Sequence, residues 1–312
     1  MRIRRFTESD AGDLFRLLSD ERVMEYLEPV FDEKKTEAFL RSAGTCREPL
    51  IWAVEENGGF IGYVILHGFD GDSLEIGWVL LPEYWGAGRA SRLTETLIER
   101  AYSAGKEAVI ECHPAQEATK HIAEKYGFGS EGLRGGCETY RLTLSNMLLP
   151  RLSDEYCVKR INEDDVESVY SLSASNPLFY RYHPPFVTRE SISEDMRALP
   201  PGKSMKDKLF IGYYTKSGLA AVMDLVLKYP DGETAFIGFF MVDAKLQGRG
   251  AGSGIIGECE RALKGCGFKK IRLAVDRGNP QSSSFWRKNG FAPAGEEYPC
   301  GNGTVIVMEK KL

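Results

Sequence analysis

The sequence predicts a mixed α/β (α+β) protein built from two copies of one domain. Three observations lead there. The 312 residues exceed an ordinary single domain. Apolar runs of strand character alternate with stretches of helical period along the whole chain. A glycine-rich loop following an apolar strand occurs twice, as Trp85-Gly86-Ala87-Gly88-Arg89-Ala90 and as Gln247-Gly248-Arg249-Gly250-Ala251-Gly252. Each is trailed by a further glycine, Gly127 in KYGF and Gly290 in RKNGF. Gly88 and Gly250 lie 162 residues apart, and Gly127 and Gly290 lie 163 apart, so two motifs stay in register over that distance. This spacing places a first domain at 1–146, a connector at 147–155 and a second domain at 156–312.

The first copy opens with the strand MRIRRF, then a helix capped by Thr7 or Ser9 whose apolar face is Ala11, Leu14, Phe15 and Leu18. A second helix is expected near Lys34–Ser42. Three strands follow, IWAVEE, FIGYVILHG and LEIGWVLL, punctuated by Asn57-Gly58-Gly59 and Asp70-Gly71-Asp72. After the glycine loop, Ala90, Leu93, Leu97 and Ala101 keep helical spacing. AVIEC reads as a buried strand, Gln116–Tyr126 as a helix, and FGSEG and ETYRLTL as closing strands. NMLLPRLSDE is the connector, and its leucines predict that it packs on a domain.

The second copy repeats the order: YCVKRI, the helix NEDDVESVYSL, a loop at Asn176–Thr188 rich in aromatics and proline, and the helix SISEDMRAL. LFIGYY, LAAVMDLVL and TAFIGFFMV are strands. The glycine loop with its helix, the strand KKIRLAV, the helix Pro280–Lys288 and two end strands complete it.

Composition narrows the function classes. Hydrophobic residues at 43% and charged residues at 27% are those of a globular protein. A net charge of -5 and a pI near 5.6 argue against an electrostatic nucleic-acid binder. No apolar run approaches a membrane span, and MRIRRFTESD lacks the apolar core of a signal peptide. Seven scattered cysteines without a C-x-x-C pair predict neither a disulfide framework nor a metal site, and place the protein in the cytoplasm.

Glycines that open a helix after a strand suit an anion, because the first backbone N–H groups of a helix are unsatisfied and carry partial positive charge. A dinucleotide site is the competing interpretation. Gly252 to Gly257 fits G-x-G-x-x-G, with Asp276 19 residues further on. Against it, DAKLQ separates the glycines from the strand, and the first copy has no such pattern.

Gln-x-x-Gly-x-Gly in this setting resembles the acetyl-CoA pyrophosphate loop of the GNAT superfamily, the CoA-dependent N-acetyltransferases. The strand and helix order resembles a GNAT domain twice over, across nearly the whole chain. The resemblance implies two copies of the acyl-CoA N-acyltransferase fold, each a mixed, mostly antiparallel sheet flanked by helices, with acetyl-CoA as cosubstrate. In the second copy it assigns cofactor contacts to Phe240, Met241 and Val242 on the strand, to Gln247, Gly248, Arg249, Gly250, Ala251, Gly252 and Ser253 in the loop, and to Asn279, Ser282 and Phe285 beyond. In the first copy it assigns them to Val79, Leu80, Trp85, Gly86, Ala87, Gly88, Arg89, Ala90 and Gln116. There Trp85 stands where glutamine is expected, a variant that resembles the branch acetylating N-terminal residues of ribosomal proteins.

The chemistry implied is transfer of acetyl directly to a primary amine of a small molecule or peptide. No cysteine is placed as a nucleophile. Many members carry a tyrosine acid four residues before the second glycine; this chain has Ala123 and Trp286 instead. Thr119 and Ser282 are the replacement candidates. For the base, the candidates are Glu75 in the first copy and Asp224, a lone acid in an apolar strand, in the second. His183, in the aromatic loop, is read as structural in preference to catalytic. The second copy, with the full glutamine–glycine pattern, is expected to be the active one. A non-catalytic acetyl-CoA sensor or scaffold is the rival reading. Two fused copies predict either a monomer whose domains pair as a pseudo-dimer or a homodimer.

Overall fold

The computed structural model describes residues 1–301 and 303–312. It consists of two compact units, Met1–Leu144 and Ser145–Leu312. The first is a seven-stranded sheet in the order β1-β2-β3-β4-β5-β7-β6, formed by β1 (Arg2–Arg4), β2 (Ile51–Glu56), β3 (Gly59–Gly68), β4 (Ser73–Leu80), β5 (Glu107–Cys112), β6 (Gly129–Arg134) and β7 (Cys137–Leu142). Only β4 and β5 run parallel. Asn57 and Gly58, both at positive φ, form the two-residue turn that sets the β2–β3 register. Helices α1 (Ala11–Leu18), α2 (Glu21–Met24) and α3 (Glu33–Phe39) cover one face, where Leu14, Leu17 and Leu18 join Phe31, Tyr63, Val79 and Leu81 in a buried cluster. The chain between β4 and β5 forms α4 (Arg89–Ser103), and α5 (Glu117–Lys125) follows β5.

The second unit repeats this architecture. After the short α6 (Leu144–Leu148), the sheet order is β8-β9-β10-β11-β12-β14-β13, the same order as in the first. The strands are β8 (Cys157–Arg160), β9 (Lys208–Thr215), β10 (Gly218–Val226), β11 (Thr234–Val242), β12 (Lys270–Asp276), β13 (Ala292–Cys300) and β14 (Gly303–Lys311). Again one pair is parallel, β11 with β12. Helices α7 (Val166–Ala174), α8 (Pro177–Tyr182) and α9 (Arg189–Arg197) precede β9; α10 (Ala251–Gly265) and α11 (Pro280–Lys288) flank β12. Helix α8 lies within the segment that the sequence presents as a loop. Its Phe179 and Tyr180 pack on a core cluster with Val169, Phe210, Val222 and Met241.

Residues 147–155 fall inside the second unit. Leu148 and Leu152 are fully buried, and the Ser153 hydroxyl donates to Glu258 on α10 at 2.5 Å. Among the described residues no helix is long and apolar enough to cross a membrane.

Candidate functional site

Each unit opens a cleft where its parallel strand pair comes apart. β4 pairs with β5 only from Ser73 to Glu75, and β11 with β12 only from Thr234 to Ile237. Beyond those residues the strands diverge while the antiparallel partner on the other side continues. In an antiparallel pair, backbone groups point alternately toward the partner and away from it. Asp243 N–H bonds Ala220 O, which fixes the phase: Met241 and Phe239 face β10, and Phe240 and Val242 face the opening. The Leu81 N–H to Ile61 O bond gives the first unit the same phase, so Trp78 and Leu80 face its opening. Val79 and Met241, expected among the strand contacts, therefore turn their N–H groups away from the cleft. Trp78, which motif matching passed over, turns its own toward it.

At the wide end of each cleft the glycine loop starts a helix. Gly88 and Gly250 are the N-cap residues, both left-handed, at φ 69° and 91°. The first helical bonds run from Arg92 N–H to Gly88 O and from Gly254 N–H to Gly250 O. The amides of residues 89–91 and 251–253 are thus left over by the helices. Nothing lies within 4 Å of where a Cβ on Gly86, Gly88, Gly248 or Gly250 would stand. The open space, the spare amides and the positive end of a 15-residue helix together fit the pyrophosphate of a CoA ester. A side chain at Gly88 or Gly250 would project into that space.

A side-chain bond pins each loop to its strand. Gln247 Nε2 donates to Val242 O at 3.0 Å, and Trp85 Nε1 donates to Leu80 O at 2.8 Å. In the second unit Asn176 completes the joint, accepting from Gln247 Nε2 at 2.5 Å while its Nδ2 donates to Val242 O at 3.3 Å. Asn176 ties the first-helix loop to the glycine loop. No motif marked it; its place just before Pro177 in the aromatic loop was the available signal.

The second cleft is a cavity of about 420 Å³, whose walls include Phe240, Val242, Gln247, Gly250, Ser253, Asn279 and Ser282. Met241, Gly248, Gly252 and Phe285 also line it, whereas the exposed Arg249 and the half-buried Ala251 do not. Asn279 is buried and caps α11, its Oδ1 accepting from Ser282 N–H at 3.1 Å. The first cleft, about 640 Å³, is lined by Val79, Leu80, Trp85, Gly86, Gly88, Arg89, Ala90, Gln116 and Thr119, and Ala87 stands outside. Arg89 is held by Glu56, with Nε 2.7 Å from the carboxylate. Gln116 makes no side-chain cap bond to α5. A Cβ on Gly252 would stand 3.1 Å from the Phe285 ring, so this glycine is small for the sake of a neighbour. The first unit has Ala90 and Ile122 at the corresponding places, a larger residue opposite a smaller one.

The candidate acids and bases separate. Thr119 and Ser282 reach the cavities. Ala123 and Trp286, at the position of the missing tyrosines, are buried. Glu75 and Asp224 do not line the cavities. Glu75 is the last residue of β4 paired with β5, and its carboxylate stands 3.4 Å from His67 Nε2. Burial pushes its pKa above the ordinary carboxylate value, against the pull of His67. Asp224 accepts from Lys208 Nζ at 2.8 Å, and that ammonium, on a side chain 1% exposed, also donates to Ala198 O. Burial raises the Asp224 pKa, with Lys208 opposing. Its Oδ1 is buried without a hydrogen-bond partner among the described residues. Gly238 is the extra residue of a bulge opposite Asp224, and a Cβ there would come within 2.8 Å of the carboxylate. No three His, Cys, Asp or Glu side chains among the described residues form a metal-ligand set.

Comparison with known proteins follows the same division. Residues 1–129 match the model of an acetyltransferase (GNAT) domain, and residues 175–291 that of the acetyltransferase (GNAT) family. An uncharacterized N-acetyltransferase of Bacillus subtilis, YnaD, is 27% identical over 140 residues, covering 43% of this chain and 82% of its own. Among solved structures, an acetyltransferase of Thermus thermophilus is similar with a TM-score of 0.41 and 18% identity, over 50% of this chain and 96% of that one. The PaiA N-acetyltransferase of Thermoplasma acidophilum, solved with coenzyme A, gives a TM-score of 0.37 and 22% identity, over 50% and 98%. YncA of Salmonella typhimurium, solved with its cofactor acetyl-CoA, gives 0.37 and 21%, over 46% and 94%. With two matched domains spanning most of its length and two sheets of one topology, the chain belongs to the GNAT acetyltransferases, as two such domains in tandem.

Proposed function

We propose that this protein moves the acetyl group of acetyl-CoA directly to a primary amine, and that the second unit carries the activity. The observation that carries this is the joint at Val242. One strand end faces the open cleft, is pinned to the glycine loop through Gln247 and is tied to the acceptor-side loop through Asn176. That geometry supports a reading in which the thioester and the amine meet at one strand edge. Acetyl-CoA, as substrate, supplies the activated acyl group. The N–H groups of Phe240 and Val242 are aimed to polarise its carbonyl, and the amides of 251–253 to hold its pyrophosphate. The amine nitrogen bonds to the carbonyl carbon as the carbon–sulfur bond breaks, and the proton the nitrogen sheds is relayed through the Ser282 hydroxyl to the sulfur.

In the first unit, Thr119 on the cleft wall fills the place of Ser282, and Glu75 at the vertex of the splay is the candidate base. Its loop carries the same pinned geometry, so we assign it acetyl-CoA binding. The test is release of free CoA from acetyl-CoA by the full chain, with and without a panel of primary amines. Release accelerated by one acceptor class supports the transferase. Saturable binding with release that no amine accelerates would instead make the protein a sensor.

A further inference from the structure

His183 Nδ1 and Asp276 Oδ1 are 3.0 Å apart. His183 sits at the end of α8, in the loop between the first helices, and Asp276 ends β12, the far arm of the splayed pair. A chain of contacts crosses the opening between the arms. Phe239 on β11 meets Phe179 edge-on at 5.8 Å, Phe179 lies 5.3 Å from the His183 ring, and His183 meets Asp276. The middle of this bridge and a neighbour of its far end reach the cavity, while His183 and Asp276 stand just behind its lining. Phe179 lines it, and Asn279, which lines it too, donates its N–H to Asp276 O at 3.1 Å. Asp276 is largely buried at 17% side-chain exposure, while His183 keeps 46%.

A carboxylate that holds one imidazole nitrogen leaves the other free to take a proton, and a base oriented by a third group is the arrangement of activated acyl transfer. We propose that His183 is the general base of the second unit and Asp276 its positioning residue, resting on the acetyl-transfer reading above. The His183 Nε2 lone pair removes a proton from the incoming ammonium; the freed amine bonds to the thioester carbon as the carbon–sulfur bond breaks, and the second proton it sheds passes by way of the Ser282 hydroxyl to the departing thiolate. Asp224 is committed to Lys208 and takes no part in that transfer.

The first unit makes the comparison internal. The residue corresponding to Asp276 there, 163 positions earlier, is His113, which stacks on Tyr26 at 5.5 Å, and Tyr26 lines the first cavity. Both units thus bridge strand end to helix loop at one place, but only the second does so with an imidazole and a carboxylate. The charged groups facing His183 are Asp276 from β12 and Asp195 from α9, with Lys208 from β9 beside Asp195.

The test compares two acceptors on the full chain: 2-phenylethylamine, protonated at neutral pH, and its 2,2-difluoro analogue, whose fluorines draw electrons from the nitrogen and leave it largely unprotonated. His183→Asn should slow acetylation of the first on the order of a hundredfold and the second only a few-fold, since the second needs no base. Acetyl-CoA binding heat should be unchanged. Equal slowing of both amines would overturn the proposal and make the pair a clasp. If neither is an acceptor, the protonated and fluorinated pair is drawn from the amine class that accelerates CoA release; if no amine accelerates it, the transferase reading falls and the base assignment with it. Long-range proton–nitrogen NMR gives a readout independent of turnover. Neutral His183 should carry its proton on Nδ1, and Asp276→Ala should abolish that preference; a proton on Nε2 in the wild type would overturn the assignment.

Discussion

Trp85 and Gln247 make the same bond with different chemistry. Each stands at the start of its glycine loop and donates one N–H to the carbonyl closing the preceding strand, Leu80 at 2.8 Å and Val242 at 3.0 Å. What the loop requires is a donor of the right reach, and an indole meets that as well as an amide. Trp85→Phe keeps the ring and removes the donor. A net hydrogen bond is worth about 1 kcal/mol, so acetyl-CoA affinity at the first site should fall roughly fivefold. Trp85→Gln should recover most of it. Calorimetric titration reads both; a loss in Trp85→Gln with Trp85→Phe left near wild type would mean that the ring, and not the bond, matters.

This pair marks where sequence reading stops. The duplicated order, the glycine loops and the helices after them were legible because each rests on local chemistry: apolar period, a positive-φ glycine, a capped helix start. A sequence comparison registers Trp85 as a departure from glutamine, since it counts residue types and the loop counts donors. Asn176 and the His183–Asp276 pair were illegible for another reason. Their partners lie 66 and 93 residues away, and only the folded sheet brings them together. Asp224 was conspicuous as an acid in an apolar strand, but Lys208, 16 residues before it, could not be identified as its partner without the β9–β10 register.

Gly252 and Phe285 form a packed pair whose sizes are exchanged in the first unit. In Gly252→Ala the Phe285 ring must yield by a few tenths of an ångström, and the space it has is the cavity. Stability should change little and acetyl-CoA affinity at the second site should drop several-fold. Adding Phe285→Ile, which copies Ala90 with Ile122, should restore affinity. A double variant no better than the single one would show that the ring contact is not the cause.

The Lys208–Asp224 pair predicts a strong coupling. Removing one partner leaves a buried charge alone, an effect of about 3–5 kcal/mol, whereas replacing both with apolar residues of similar size is near neutral. Chemical denaturation should therefore find Lys208→Met strongly destabilised and Lys208→Met with Asp224→Leu close to wild type. Additive losses would contradict the pairing.

Glu75 predicts a pH dependence. Its folded pKa is raised by burial, so its contribution to stability is complete below the unfolded carboxylate value, about 4.3, and is lost as pH rises through the higher folded value. Glu75→Gln lacks that loss. The Tm of the variant relative to wild type should climb between mildly acidic and neutral pH and then level off. A difference that is flat over that range would contradict a burial-raised carboxyl facing His67 and Glu111.

The most direct measurement is calorimetric titration of acetyl-CoA into the full chain beside Gly88→Glu and Gly250→Glu, which place bulk and negative charge where the spare helix amides face the cleft. Two binding sites in the wild type, with each variant losing one, is the predicted result. No binding heat at any temperature, with the fold intact by circular dichroism, would contradict it.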